Sequence, residues 1–97
     1  MYEHDHDDIL TAARAGDTDE TAAVLSMDNR LTRVTDAEGR TPLHLAAAGG
    51  HRATVELLLH NNADPQARDR AGLTALALAE QAGHADVAAV LRRAVGS

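Results

Sequence analysis

The groups in this chain that could do acid–base, metal or nucleophilic chemistry are its six histidines, its carboxylates and a few hydroxyls. The densest cluster is His4-Asp5-His6-Asp7-Asp8, two imidazoles and three carboxylates within five residues, whose donors suit zinc, nickel or copper. No regular backbone preorganises those ligands. The simpler reading is an acidic chain end whose carboxylates favour the N-terminus of the helix that follows. The expectation is therefore no metal and no cofactor, with His4 and His6 as the only metal candidates.

The remaining histidines are spread along the chain. His44 lies beside an apolar run, and a catalytic role would need a nucleophile or acid aimed at it, which the sequence does not offer. His51 and His84 each follow a glycine, Gly50 and Gly83, and lie 33 residues apart. A single active site has no reason to recur at that interval, whereas a structural contact does. Thr41 and Thr74 recur in the same way and do not read as nucleophiles. His60 is expected to be exposed at a helix end, helped by the C-terminal dipole. The chain has no cysteine, which removes disulfides, thiolate metal sites and a cysteine nucleophile together. Phosphate-cradling and nucleophile-elbow glycine motifs are also missing from the sequence. The expectation is a protein that is not an enzyme.

Recurrence is the organising feature. Asp36-Ala37-Glu38-Gly39-Arg40-Thr41-Pro42-Leu43-His44-Leu45-Ala46-Ala47 returns 33 residues later as Asp69-Arg70-Ala71-Gly72-Leu73-Thr74-Ala75-Leu76-Ala77-Leu78-Ala79-Glu80. Upstream, Ile9 to Asp17 aligns with Leu43 to His51 at an offset of 34, as a degenerate first copy. A period of this size means that each unit is one supersecondary element unable to bury its apolar face alone, so neighbours must stack.

The middle unit, Asp36 to Ala67, closely resembles the ankyrin repeat: an Asp-x-x-Gly-x-Thr-Pro-Leu-His-x-Ala-Ala opening, Gly-His, a Val-x-Leu-Leu-Leu run and Asn-Ala-Asp. The likeness runs from about Asp7 to Val95. The third unit departs from it with Ala75 and Ala77 in place of Pro and His, and the middle unit has Asn62 where the family carries Gly. The resemblance implies an all-α solenoid of about three stacked helix-turn-helix units with turn fingers. It divides the chain into an acidic segment 1–6, a degenerate N-terminal capping repeat 7–35, a full repeat 36–68 and a C-terminal capping repeat 69–97. It also implies structural roles for Thr41, Pro42, Leu43, His44, Gly50, His51, Thr74, Gly83 and His84. In particular, His44 should be neutral and largely buried, tying neighbouring turns by hydrogen bonds.

Local signals place the elements. Thr41 can cap a helix with Pro42 at its first position, and Gly49-Gly50 stops it after two turns. The next helix, about Arg52 to His60, sets Val55, Leu58 and Leu59 on one stripe, with Arg52 and Glu56 as a solvent-facing pair one turn apart. Asn61-Asn62 suits the left-handed residue at its end. Third-unit helices are expected at about Thr74 to Gln81 and Ala85 to Ala94. First-unit helices are expected at about Asp7 to Ala15 and Asp19 to Ser26, with Asp17 or Thr18 near the start of the second.

Composition bounds the partners. With 44% hydrophobic residues and Tyr2 as the only aromatic, the core must be built from Leu, Val and Ala. All nine basic residues are arginine, a bias that fits a GC-rich bacterial genome. Residues 1–38 carry a net charge of −7 and residues 39–97 a net charge of +1, a poor match to nucleic acid. No apolar run approaches the roughly 18 residues that cross a bilayer, and the acidic start does not resemble a signal peptide. The expectation is a cytoplasmic monomer with no membrane contact. Polar residues on both outer units suggest a minimal, free-standing array.

What remains is a surface. By the resemblance, turn tips and inner helices form a concave face, and the positions outside the consensus specify a partner. These are Arg14, Ala37, Glu38, Arg40, Ala48, Arg70, Ala71, Leu73 and Gln81. Three arginines around small residues and an exposed Leu73 suit another protein, acidic and partly apolar. The function expected is therefore protein binding, with weak metal binding or self-association as the alternatives.

Overall fold

A computed structural model describes residues 6–96, which form six α-helices and one 3-10 helix. The helices are α1 (His6–Ala15), α2 (Thr18–Met27), α3 (Pro42–Ala48), α4 (Arg52–His60), α5 (Ala75–Ala82) and α6 (Ala85–Gly96). They pair as α1 with α2, α3 with α4 and α5 with α6. The inner helices α1, α3 and α5 pack side by side, and α2, α4 and α6 form a second layer behind them. The array measures 40 × 24 × 22 Å.

Helix α3 shows why the units need one another. At seven residues it is too short to persist alone, because helix nucleation costs more than so few backbone bonds return. Thr41 starts it: the Thr41 hydroxyl accepts from the His44 amide at 3.3 Å, and the Thr41 amide donates to His44 Nδ1 at 3.1 Å. This reciprocal box occupies two amides at the helix start, and Pro42 has no amide to occupy. Every residue from Pro42 to Ala47 is buried. A helix covered on all sides has a neighbour on each, and here these are α1, α4 and α5.

The core follows the small-residue composition. Ile9, Leu43, Leu58 and Leu91 are its largest apolar side chains, with Val24, Val55 and Val87 between them and alanines on the inner helices. Full burial of such a leucine or valine contributes about 1.5–3 kcal/mol each. The alanines let the inner helices come close, and the bulk sits between the inner and outer layers.

Several local features differ from the sequence expectation. Helix α5 starts one residue later than expected because Thr74 is its cap, its hydroxyl accepting from the Ala77 amide at 3.2 Å. Helix α6 runs to Gly96, two residues beyond the expected end. A 3-10 helix, Asn29–Arg33, follows α2 and had no counterpart in the periodicity. Asp28 builds it, accepting the Arg30 amide at 3.0 Å and gripping the Arg30 guanidinium at 2.9 and 3.1 Å. The same hydrogen bonds, the side-chain ones foremost, hold the Asp28 carboxyl below its ordinary pKa. Asp17 caps α2 and Asn62 takes the left-handed conformation, φ 68°, as its place after α4 requires.

Close approach between units fixes one glycine. Gly50 has φ +74°, and a methyl group there would fall 2.7 Å from Nδ1 of His84 in the next unit; Gly16 stands in the same relation to His51. Gly72, φ +81°, has open space around it. Gly72→Ala should therefore cost only the left-handed backbone term, about 1–2 kcal/mol. Gly50→Ala should cost about 0.5–1.5 kcal/mol more, by displacing a hydrogen-bonded imidazole. Urea unfolding of the two variants beside the native chain measures the difference, and equal losses would show that the His84 contact is slack.

Candidate functional site

The turns between units are built by aspartates. Asp36 Oδ1 accepts from the amides of Glu38 at 2.9 Å and Arg40 at 3.0 Å, while the Asp36 amide donates to the Arg40 carbonyl at 3.0 Å. Thirty-three residues on, Asp69 Oδ1 accepts from Ala71 and Leu73, each at 2.9 Å, and the Asp69 amide donates to the Leu73 carbonyl at 2.9 Å. Each finger is thus a loop closed on one carboxylate. The two are joined by the Arg70 amide donating to the Glu38 carbonyl at 2.9 Å. Leu73 and Ala71, in that order, are the amide donors that hold the Asp69 carboxyl below its ordinary pKa.

Histidines join the units from below. His44 is buried, and its Nε2 reaches the Leu73 carbonyl of the next finger at 2.8 Å. That carbonyl can only accept and the Thr41 amide can only donate to Nδ1, so the imidazole is the neutral tautomer with its proton on Nε2. His51 Nε2 donates to the Arg14 carbonyl at 3.1 Å, and His84 Nε2 to the Ala48 carbonyl at 3.1 Å. Both acceptors lie at the C-terminal end of an inner helix in the preceding unit, where carbonyls lack intrahelical donors. The repeated Gly-His therefore satisfies orphan carbonyls across each junction. In the outer layer, Thr18 and Thr54 hydroxyls meet at 3.2 Å. Ala77 stands where the middle unit has its histidine, so the third unit has no imidazole in this position.

The arginines singled out for partner binding are tied within the chain. Arg14 Nη2 lies 3.7 Å from Asp36 Oδ2, and Arg40 Nε lies 3.5 Å from Asp69 Oδ2. Arg70 Nη1 donates to the Ala37 carbonyl at 3.2 Å. All three contacts cross a unit junction. Arg40 is the most committed, because its buried Nε faces a carboxylate with only 2% side-chain exposure. Leu73 was expected to be exposed and is instead half-buried, because its amide and carbonyl close the Asp69 loop. Ala37, Glu38, Ala71 and Gln81 are exposed and Ala48 is half-buried. His4 lies outside the described residues, as does the side chain of His6. Among the described residues no three metal-ligating side chains converge. No helix among them is long and apolar enough to cross a membrane.

One feature had no sequence signal at all: a cleft of about 700 Å³ between the loop 32–41 and the loop 62–68. Leu59 and Ala94 of the outer helices also line it, and none of the nine nominated partner positions does. Its parts lie some 30 residues apart in sequence, and only the stacking of units brings them together.

Stacked helix pairs, carboxylate-closed fingers and imidazoles crossing each junction define a helical repeat solenoid, a class whose working part is its surface. The family description "Ankyrin repeats (3 copies)" matches residues 9–96. The chain belongs to the ankyrin-repeat family, whose repeats are generally non-catalytic modules of protein–protein interaction. It is 46% identical over 48 residues to the mouse 60 kDa lysophospholipase, a match covering 50% of this chain and 8% of that protein. It is also 46% identical over 50 residues to the rice (Oryza sativa subsp. japonica) probable E3 ubiquitin-protein ligase XBOS32, covering 50% of this chain and 10% of that one. Those segments are at most a tenth of each relative's length.

Two substitutions test the junction. His44→Leu keeps the bulk and leaves the Leu73 carbonyl and Thr41 amide without their partner, so it should cost about 1–3 kcal/mol in urea unfolding. Asp69→Asn keeps an oxygen for the finger amides and removes the charge. Because the folded pKa of Asp69 is depressed, its ionisation stabilises the fold at neutral pH, and that contribution is lost as pH falls through the folded value, below about pH 4. The variant should be less stable than the native chain at neutral pH and should converge on it in acid. A constant gap across that range would show that the charge is not what matters.

Proposed function

We propose that this chain is a non-catalytic binding module that holds a protein partner against its concave face, formed by the finger tips and the open side of α1, α3 and α5. The observation that supports it is how the exposed positions divide. The consensus side chains are spent on closing fingers and crossing junctions, whereas Ala37, Glu38 and Ala71 take part through their backbones alone and leave their side chains, with that of Gln81, on the exposed surface. A floor of Ala48 and Gly49 beside them is shallow and admits a helix or extended segment closely.

The relatives support a shared module rather than a shared reaction. One is called a lysophospholipase and the other a probable ubiquitin ligase, yet each resembles about half of this chain at 46% identity. Activities that different are not carried by one short segment. In this chain the hydroxyls of Thr41 and Thr74 and the ring nitrogens of His44 are bound to backbone, which leaves them unavailable for acid–base work.

Arg40 and Arg70 are poor positions for testing this, because charge reversal there would loosen the stacking itself. Ala71→Arg combined with Gln81→Arg places bulk on exposed positions that tie nothing together. Native chain and double variant should have the same urea midpoint. Used as paired baits in source lysate with mass-spectrometric readout, they should differ, with at least one protein retained by the native bait alone. Identical recovery by both baits would sink the concave-face reading.

A further inference from the structure

The cleft between the loops 32–41 and 62–68 has a volume of about 700 Å³, and its chemistry differs from that of the concave face. We propose that it is a second binding site, taking the carboxylate of an acidic side chain presented by an extended segment of a protein partner.

Charge is the first argument. Arg33 and Arg68 line the cleft with Asp64 as the only acid, and Asp64 Oδ1 already accepts the Gln66 amide at 2.9 Å. Arg68 gives Nη1 to the Gly72 carbonyl at 3.3 Å and keeps its other donors. Arg33 is exposed, and its side chain makes no ion pair or hydrogen bond among the described residues. Two guanidiniums against one engaged carboxylate leave an excess positive charge, and the planar guanidinium fork matches a carboxylate.

The second argument is an unmet polar group. Thr32 is only 3% exposed, lines the cleft, and has a hydroxyl with no protein partner among the described residues. Thr32 as a residue is almost fully buried while its hydroxyl keeps some solvent access, so the hydroxyl can donate to an anion held by the neighbouring Arg33. By contrast, the Thr41 hydroxyl in the same wall is taken by His44.

Shape narrows the ligand. A volume of about 700 Å³ falls in the usual range of ligand sites, roughly 300–1,000 Å³. Leu59, Ala63, Pro65 and Ala67 supply apolar wall for a glutamate stem. The cleft is open along the surface, so a peptide can cross it and lower one side chain in.

The test uses the ¹⁵N-labelled chain and three probes: a blocked pentapeptide with one glutamate between alanines, its glutamine counterpart, and glutarate. Amide shifts of Thr32, Thr35, Ala63 and Ala67 report occupancy. The glutamate peptide should shift them saturably, and the glutamine peptide should bind about tenfold more weakly or worse, as loss of a charge-assisted hydrogen bond dictates. Among the described residues Arg33→Ala and Thr32→Val break no side-chain hydrogen bond, so each should keep the fold and weaken the glutamate peptide several-fold. Ala71→Arg/Gln81→Arg should leave it unchanged, which separates this site from the concave face. No shift at these amides, equal binding of the glutamine peptide, or native affinity in Arg33→Ala would overturn the proposal. Glutarate binding as tightly as the peptide would also overturn it, assigning the cleft to a free organic acid.

Discussion

Everything in this molecule depends on the burial of α3 between α1 and α5. A seven-residue helix without a charged side chain has no stable existence in water, and its box of Thr41 and His44 closes only its start. Its neighbours supply the rest. Once α3 is seated, the His44 imidazole reaches the Leu73 carbonyl of the next finger, and the C-terminal carbonyls of α1 and α3 come within reach of His51 and His84. The cross-junction bonds are thus consequences of stacking that also fix its register, because the histidine bonds each join a side chain to a backbone carbonyl whose position is set by its own unit. Stability is therefore a property of the junctions more than of the units, as in a one-dimensional array.

Much of this was legible in the sequence because the relevant signals are local and periodic. Thr-Pro before an apolar run, Gly-His after it and Asn-Asn at the end of the next helix each act within a few residues, and the helices lie within two residues of where these signals put them. The fate of Arg14, Arg40 and Arg70 was not legible. Register placed them at the fingers and inner helix, but their partners, Asp36, Asp69 and the Ala37 carbonyl, lie across a junction, at distances that only three-dimensional stacking sets. Leu73 was misjudged for a related reason: its side chain looked free, while its backbone is half of the Asp69 loop. The 3-10 helix depends on the Asp28–Arg30 grip, a two-residue contact that leaves no periodic trace. The cleft left no trace either, since the motif residues in its loops signal turns and caps and not the concavity between them.

The same repetition that makes the fold readable removes most of its chemistry. Hydroxyls, imidazoles and carboxylates are the groups enzymes use, and at the repeated positions of the second and third units they are assigned largely to backbone partners: Thr41 and Thr74 to helix starts, Asp36 and Asp69 to finger amides, His44, His51 and His84 to carbonyls. A group that must serve at every junction is held in one geometry by bonds on both sides. It is not available to bind a substrate or to move a proton. Function is thereby displaced to positions the repeat does not need.

Under the proposed binding role, that displacement shapes what kind of partner the concave face would hold. Its charged residues are largely occupied, Arg40 most of all, so long-range charge steers an approach without supplying the main contacts. The free positions, Ala37, Ala71 and Ala48, are small and offer little to grip with. A binder must therefore bring its own bulk, fitting side chains over a shallow floor whose geometry is rigid because the fingers are braced. Such a face has little conformational entropy to lose on binding, and affinity then rests on shape more than on any one contact. The cleft behind the fingers has the opposite character, with an arginine and a hydroxyl that have no partner among the described residues and apolar wall around a pocket. One scaffold thus presents a preformed flat surface on one side of its fingers and a charge-selective notch on the other, and both are positioned by the bonds that hold the units together.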